Sequence, residues 1–217
     1  MNVRIEWMYK KNKGPSTTFT SDEMGVGEAL LIAEDLEKTG RVKKLDFVDQ
    51  QGQSWMKKEL KKYMKGVETE PHNVQVYFDG GFYHETQKSG LGCVIYYEKD
   101  GKHLRLRRNA AIEELKTNNE AEYAALHLAV KELELLGVHH LPVKFSGDSQ
   151  VVINQLKGEW PCLEEELSRW ADRIEDLLHK LGIEPEYDLV TRKQNKEADR
   201  LAGQALEGVS ITSTHEH

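Results

Sequence analysis

Between residues 118 and 136 small and apolar side chains recur at helical spacing, with Ala125, Leu126, Ala129, Leu133 and Leu136 on one stripe. Glu122 falls in the middle of that stripe and is its only charge, whereas Glu120 projects to the opposite face with His127 and Lys131. Leu163, Leu167, Trp170, Ile174, Leu177 and Leu181 predict a second long helix, ended by Gly182. Alternation predicts strands near 74–79, 91–98, 102–109, 143–147 and 186–190, with a short helix over 149–157. A last helix, capped by Asn195, carries Ala198, Leu201, Ala202, Ala205 and Leu206 on one side. Three consecutive strands followed by alternating helices and strands predict an α/β fold, a mixed sheet flanked by helices. Residues 208–217 read as a disordered tail.

The first third of the chain has its own pattern. Val3, Ile5 and Trp7 alternate as a strand, 11–15 makes a turn, and a second strand follows near 17–20. Ala29 to Leu36 forms a helix closed by Gly40. A strand over 42–48, a turn at 49–52, a short strand at 54–56 and a helix over 57–65 complete a small α+β unit. The polar stretch ending in Pro71 divides the chain into a domain over 1–66, a linker over 67–72, a larger domain over 73–207 and the tail.

The 217 residues hold no apolar run long enough to span a membrane and no basic-then-apolar leader, so a cytoplasmic protein is expected. Two isolated cysteines, Cys93 and Cys162, read as reduced thiols. The nine histidines lack paired ligand spacing and read as turn and tail residues rather than a zinc site. The net charge of −7 is unevenly spread. Residues 1–66 carry 13 Lys and Arg against 10 Asp and Glu, leaving +3 there and −10 in the remainder. Lys58, Lys61, Lys62 and Lys65 lie on one face of the 57–65 helix, either as a solvated face or as phosphate contacts. Arg105, Arg107 and Arg108 pose the same question on a strand, where charges also guard a sheet edge against pairing.

Four acids occupy positions that invite chemistry. Glu122, on a core-facing stripe, needs a partner: a buried cation, or a function. Glu120 stands three residues after Thr117 and reads as part of a capping box. Asp148 follows a core strand, as a helix cap or at the strand end where α/β folds place chemistry. Asp79 ends a strand before Gly80-Gly81, as part of an Asp-Gly turn or as a functional carboxylate. Asp199 lies at the margin of its helical stripe, where a solvated acid near the positive helix end is equally open. Burying several carboxylates together is costly unless cations neutralise them, and oxygen-only clusters suit hard divalent ions.

The segments Val76-Tyr77-Phe78-Asp79-Gly80-Gly81, Thr117-Asn118-Asn119-Glu120-Ala121-Glu122, Ser146-Gly147-Asp148-Ser149-Gln150 and Asn195-Lys196-Glu197-Ala198-Asp199 resemble the four motifs of the type 1 ribonuclease H family, in the family's order, over about residues 73–207. The resemblance implies the ribonuclease H fold and endonucleolytic cleavage of the RNA strand of RNA–DNA hybrids. It implies two Mg²⁺ ions, with Mn²⁺ as a substitute, that activate water and stabilise the leaving oxygen, and no organic cofactor. Asp79, Glu122 and Asp148 would hold the metals and Asp199 would complete one site. Gly80, Gly81, Thr117, Asn118, Asn119 and Gln150 would contact substrate, the last three at the minor groove where 2′-hydroxyls mark RNA. The small N-terminal unit lacks the aromatic and glycine-rich signature of a hybrid-binding domain and looks like the extension of some two-domain bacterial members. No histidine stands between Gly182 and Asp199, and Thr191-Arg192-Lys193-Gln194 forms a shortened connection as in archaeal-type members. A ribonuclease H-like binding module without cleavage would be expected to have lost one of the four acids, and all four are present.

Overall fold

A computed structural model describes residues 1–10 and 14–217 and divides the chain into two compact units, Met1–Val67 and Glu68–His217. The turn expected at 11–15 lies, over residues 11–13, outside the described residues.

In the first unit β1 (Asn2–Lys10) pairs antiparallel with β2 (Ser16–Thr20), β3 (Met24–Gly25) and β4 (Val42–Asp49), and β4 pairs with β5 (Ser54–Trp55). Helices α1 (Val26–Lys38) and α2 (Lys57–Thr69) supply Val26, Ala29, Ala33 and Leu60 to a core with Val3, Ile5 and Phe47. The linker expected over 67–72 shrinks to Glu70 and Pro71, because α2 runs on to Thr69 and the next strand starts at His72.

The second unit is a six-stranded mixed sheet in the order β10-β9-β6-β7-β8-β11. Its strands are β6 (His72–Tyr83), β7 (Lys88–Lys99), β8 (Lys102–Ile112), β9 (Pro142–Gly147), β10 (Glu184–Leu189) and β11 (Thr212–Glu216). β6 pairs antiparallel with β7 and parallel with β9, and β9 pairs parallel with β10. One face packs α3 (Asn118–Leu136) and α5 (Glu165–Leu181) against Val76, Phe78, Cys93 and Ile95. The alternate residues of β6 and β7 face α6 (Arg192–Leu206). The short helix α4 (Gln150–Leu156) follows β9.

Three sequence expectations change here. Residues 208–217 are not a disordered tail: β11 adds antiparallel to β8, from Thr212 opposite Arg108 to Glu216 opposite Leu104. The segment has almost no apolar pattern; it is held by backbone pairing, by the contacts Arg108–Thr212, Lys102–Glu216 and Tyr96–His217, and by one buried side chain. Asn109 donates through Nδ2 to the carbonyls of Leu201 (3.0 Å) and Val209 (2.8 Å) and accepts from the Ile211 N–H (2.6 Å). β8 is consequently not an edge strand, and its arginines do not guard one. Arg105 and Arg107 reach Glu197, and Arg108 reaches Glu132. Finally, Gly80-Gly81 is not a turn, since β6 continues through it in register with Leu91 and Gly90.

Candidate active site

The site is assembled where β6, β9, α3 and α6 meet. Gly80 decides the spacing of the first pair: a Cβ there would lie 2.1 Å from the backbone carbon of Ala121 and 2.3 Å from the Glu122 nitrogen. Only glycine lets β6 lie this close to the first turns of α3. Its N–H donates to Glu122 Oε2 at 3.3 Å. Glu122 has no ion pair with Lys or Arg among the described residues, which removes the buried-cation account of this acid.

Thr117 and Glu120 form the expected capping box. Thr117 Oγ1 accepts from the Glu120 N–H at 3.1 Å, and Glu120 Oε2 accepts from the N–H groups of Thr117 (3.0 Å) and Lys116 (2.8 Å). Glu120 is nevertheless buried rather than on an outer face, and His127 packs against Trp170 of α5. The expected capping role of Glu120 is present, but a helical wheel drawn on α3 alone could not register α5 covering its far side.

Asp148 is not the cap of α4. Ser149 is, its Oγ accepting from the Val152 N–H at 3.4 Å, so the Asp148 carboxylate is left for other work. Asp79, Glu122 and Asp148 bring one carboxylate oxygen each within 4.8 Å of one another. Asp79 and Glu122 are buried and Asp148 is nearly so. Burial, then the charges of Asp148 and Asp199, push the Asp79 carboxyl up to about 7. Burial and then Asp79 and Asp148 hold Glu122 well above the usual carboxylate range, opposed by the Gly80 N–H. The compensating cation nearby is Arg192, its Nε 3.8 Å from Asp148 Oδ2, but it is almost fully exposed and screened by solvent. A group of oxygen donors this close, with so little internal neutralisation, has the chemistry of a hard divalent-cation site.

Asp199 stands outside that group of three. It is exposed on α6 and borders, with Asp79, Gly81 and Lys196, an open cleft of about 620 Å³. α6 reaches this position because Gly92, directly opposite Asp79 on β7, carries no Cβ: one would lie 2.3 Å from the Ala198 carbonyl oxygen. The helix begins earlier than expected. Thr191 is its N-cap, in a capping box with Gln194, so Arg192 and Lys193 are first-turn residues rather than loop residues. Asn195, expected as the cap, is fully buried and donates through Nδ2 to the Phe78 carbonyl (2.9 Å) and to Asp79 Oδ1 (3.4 Å). Sequence reasoning missed this positioning role. The available signal was its place on the same helical stripe as Ala198 and Ala202, where a polar residue needs partners.

Of the expected substrate contacts, Asn118 and Gln150 are exposed and Asn119 half-buried, at the starts of α3 and α4. Thr117 is engaged in its cap, Gly80 is packed under α3, and Gly81 lines the cleft. In the first unit Lys61 is paired with Glu34 at 2.7 Å, leaving Lys58, Lys62 and Lys65 exposed and without an ion pair among the described residues.

A family model described as reverse transcriptase-like matches residues 77–205. The uncharacterized protein YpeP of Bacillus subtilis is 43% identical over 196 residues, covering 90% of this chain and 86% of that protein. Ribonuclease HI of Halobacterium salinarum is 37% identical over 92 residues, 42% of this chain and 44% of that protein. The crystal structure of RNase H1 from the same archaeon has a TM-score of 0.55 and 32% identity over 63% of this chain and 98% of that one. LC11-RNase H1 in complex with an RNA/DNA hybrid gives 0.56 and 27%, over 63% and 98%. Fold and family point to a nucleic-acid-binding nuclease. With the match spanning more than half of its residues, the chain belongs to the reverse transcriptase-like family, and its second unit has the ribonuclease H fold.

Proposed function

We propose that the protein hydrolyses the RNA strand of RNA–DNA hybrids at the Asp79–Glu122–Asp148 site. The observation that carries the reading is the convergence of three carboxylates within 4.8 Å, two of them buried, one of which, Asp79, also borders an open cleft together with Asp199. Asp79, Glu122 and Asp148 would hold the divalent ions, Mg²⁺ with Mn²⁺ as substitute, and Asp199 at the rim would complete the set. The ions supply water activation and charge stabilisation at the scissile phosphate.

The chain's own residues do the rest by position. The Gly80 N–H orients Glu122, and the Asn195 amide orients Asp79, so both carboxylates are held before substrate arrives. Asn118, Asn119 and Gln150 stand on exposed helix starts, where amide groups can meet 2′-hydroxyls across a minor groove. Arg192 and Lys193, in the first turn of α6, can balance phosphate charge. Lys58, Lys62 and Lys65 of the first unit would add sequence-independent phosphate contacts.

The experiment is a gel assay of a labelled RNA–DNA hybrid with Mg²⁺ or Mn²⁺, beside duplex RNA, duplex DNA and a duplex holding one ribonucleotide. Cleavage of the hybrid with little cutting of the other three is expected. Equal cutting of duplex DNA and hybrid, or binding of hybrid with no cleavage under either metal, would overturn the reading.

A further inference from the structure

At the end of the sheet away from the carboxylates, neighbouring strands carry histidines and a glutamate in one row. His72 of β6 stands opposite Glu98 of β7, and Glu98 stands opposite His103 of β8. The His217 N–H donates to the His103 carbonyl at 2.8 Å and carries the row on toward β11. His72 and Asp79 lie near opposite ends of β6, about 20 Å apart at the rise of an extended strand. A bulge aims His72 into the row. The register slips between His72, opposite Glu98, and Gln75, opposite Tyr96, so β6 holds one residue more than β7 there. Asn73, inside the bulge, takes a left-handed φ of 51°. Bulges of this kind re-aim a side chain, and this one turns His72 toward Glu98.

The contacts in this row leave a gap. His72 Nδ1 lies 2.9 Å from the Glu70 carbonyl oxygen, which can only accept, so in the neutral ring Nδ1 carries the proton and Nε2 presents a lone pair. That lone pair faces Glu98 Oε2 at 3.6 Å, and His103 Nδ1 faces the other carboxylate oxygen, Oε1, at 3.7 Å. Both separations are too long for hydrogen bonds. They are close to the spacing of two ligand atoms on one tetrahedral ion, about 3.4 Å for metal bonds of about 2.0–2.1 Å. Asn73 Nδ2 donates to Glu98 Oε1 at 3.0 Å and holds the carboxylate in place. A ring proton given to a backbone carbonyl and a carboxylate fixed by an amide are the outer contacts that orient metal ligands.

We propose that His72, Glu98 and His103 bind one divalent transition-metal ion of the zinc class. Two imidazoles and a carboxylate select such an ion over Mg²⁺, which suits all-oxygen donors such as Asp79, Glu122 and Asp148. Among the described residues only those three acids already bring three ligand atoms within 4.8 Å of one another. In the second site His72 and Glu98 are the fixed pair, and the His103 side chain, 71% exposed, turns inward to complete it. The bound ion ties β6, β7 and β8 together at one end of the sheet. Sequence spacing carries no sign of this site, because strand register rather than a helical or loop repeat brings its ligands together. The competing account is that protons fill both gaps, as in ordinary histidine–glutamate ion pairs. That account predicts no saturable metal binding at these rings in mildly alkaline solution.

The site is independent of the proposed cleavage, and its test reads metal binding alone. Zn²⁺ is titrated into the full chain near pH 8, with Mg²⁺ in excess, while the imidazole nitrogens are followed by NMR. Saturable shifts of His72 Nε2 and His103 Nδ1 are expected, with His72 Nδ1 keeping its proton. Affinity read at these rings is expected to fall at least about tenfold in Glu98→Gln. A comparable loss at His72 is expected in His103→Gln, which changes an exposed side chain and serves if Glu98→Gln fails to fold. Asp148→Asn should leave the zinc shifts of both rings in place. Absence of saturable shifts at these rings, undiminished binding in the folded variants, or loss of the shifts in Asp148→Asn would overturn the proposal.

Discussion

The Gly80 N–H donates to Glu122 Oε2 across 3.3 Å, and this one bond joins the central strand to the first turns of α3 at the point where two buried acids meet. It forms only because the two backbones nearly touch. A methyl group at Gly80 would sit 2.1 Å from the Ala121 backbone carbon, and backbone cannot move aside as a flexible side chain does. Gly80→Ala is therefore expected to destabilise the fold by about 2 kcal/mol or more and to displace Asp79 from Glu122. Thermal unfolding reads the first effect and divalent-ion affinity the second. A variant that melts and binds Mn²⁺ like the parent would show that the close approach is not needed.

The two glutamates of α3 give a paired prediction. Asp148→Asn and Glu122→Gln keep shape and remove a charge from the group of three, so cleavage of hybrid is expected to fall by orders of magnitude while the fold remains. Glu120→Gln keeps an acceptor for the Lys116 and Thr117 N–H groups but weakens both bonds, which costs about 1 kcal/mol in stability and little in activity. Circular dichroism and the hybrid assay separate these outcomes. Loss of cleavage in Glu120→Gln with Glu122→Gln unaffected would reverse the roles assigned to them.

Much of this was legible in the sequence because periodicity reports which face of an element is buried. Ala125, Leu126, Ala129 and Leu133 placed Glu122 in the core, and Val76 and Phe78 placed Asp79 on the other side of the sheet. What stayed hidden depended on partners distant in the chain. The cap on Ser149 rather than Asp148, and on Thr191 rather than Asn195, differ from expectation by a few residues that several polar side chains could fill. β11 carries no apolar signal at all, and Asn109, which fixes it, is one polar residue in an arginine-rich strand. The Arg105–Arg107–Glu197 cluster joins residues some ninety positions apart, beyond the reach of any local pattern.

The shifted acids make stability depend on pH in a stated direction. Asp79 titrates at about 7 in the folded metal-free chain against an ordinary 3.8, so the folded state holds this proton more tightly than the unfolded state does. Its contribution is complete below the ordinary value and is lost as pH rises through about 7. Glu122 is raised in the same direction. A divalent ion replaces the proton, so Mg²⁺ or Mn²⁺ should raise the melting temperature strongly near pH 8 and little near pH 5. Melting curves in EDTA and in metal at both pH values check this. An equal rise at the two would mean that the ion binds elsewhere.

The lysine face of α2 is thinner than its sequence suggests, since Lys57 and Lys61 are paired with Glu37 and Glu34. Lys58, Lys62 and Lys65 remain for phosphate. Changing these three to Gln is expected to weaken hybrid binding and flatten its salt dependence, raising KM while kcat under saturation persists. Lys61→Gln alone should have the smaller effect on binding. Fluorescence anisotropy across a salt series provides the measurement, and an unchanged slope in the triple variant would assign this face to another purpose.

Asn109 offers the sharpest test of how the last strand is held. Its side chain makes three of the bonds that turn the chain from α6 into β11: two to the carbonyls of Leu201 and Val209 and one from the Ile211 N–H. β11 itself buries little, so its position rests on this amide, on the ladder to β8 and on a few exposed side-chain contacts such as Lys102–Glu216. Asn109→Leu fills similar volume but leaves those carbonyls and that N–H without partners in a buried place, at a cost of about 1–3 kcal/mol for each group that water cannot reach. The cheapest relief is for β11 to detach. Hydrogen exchange over residues 211–217 should then approach that of an unstructured segment, while β6 and β7 stay protected. Detachment would also uncover the unpaired edge of β8, so a concentration-dependent shift toward dimers is expected by sedimentation. A variant whose 211–217 amides remain as protected as the parent's would show that the strand ladder alone suffices.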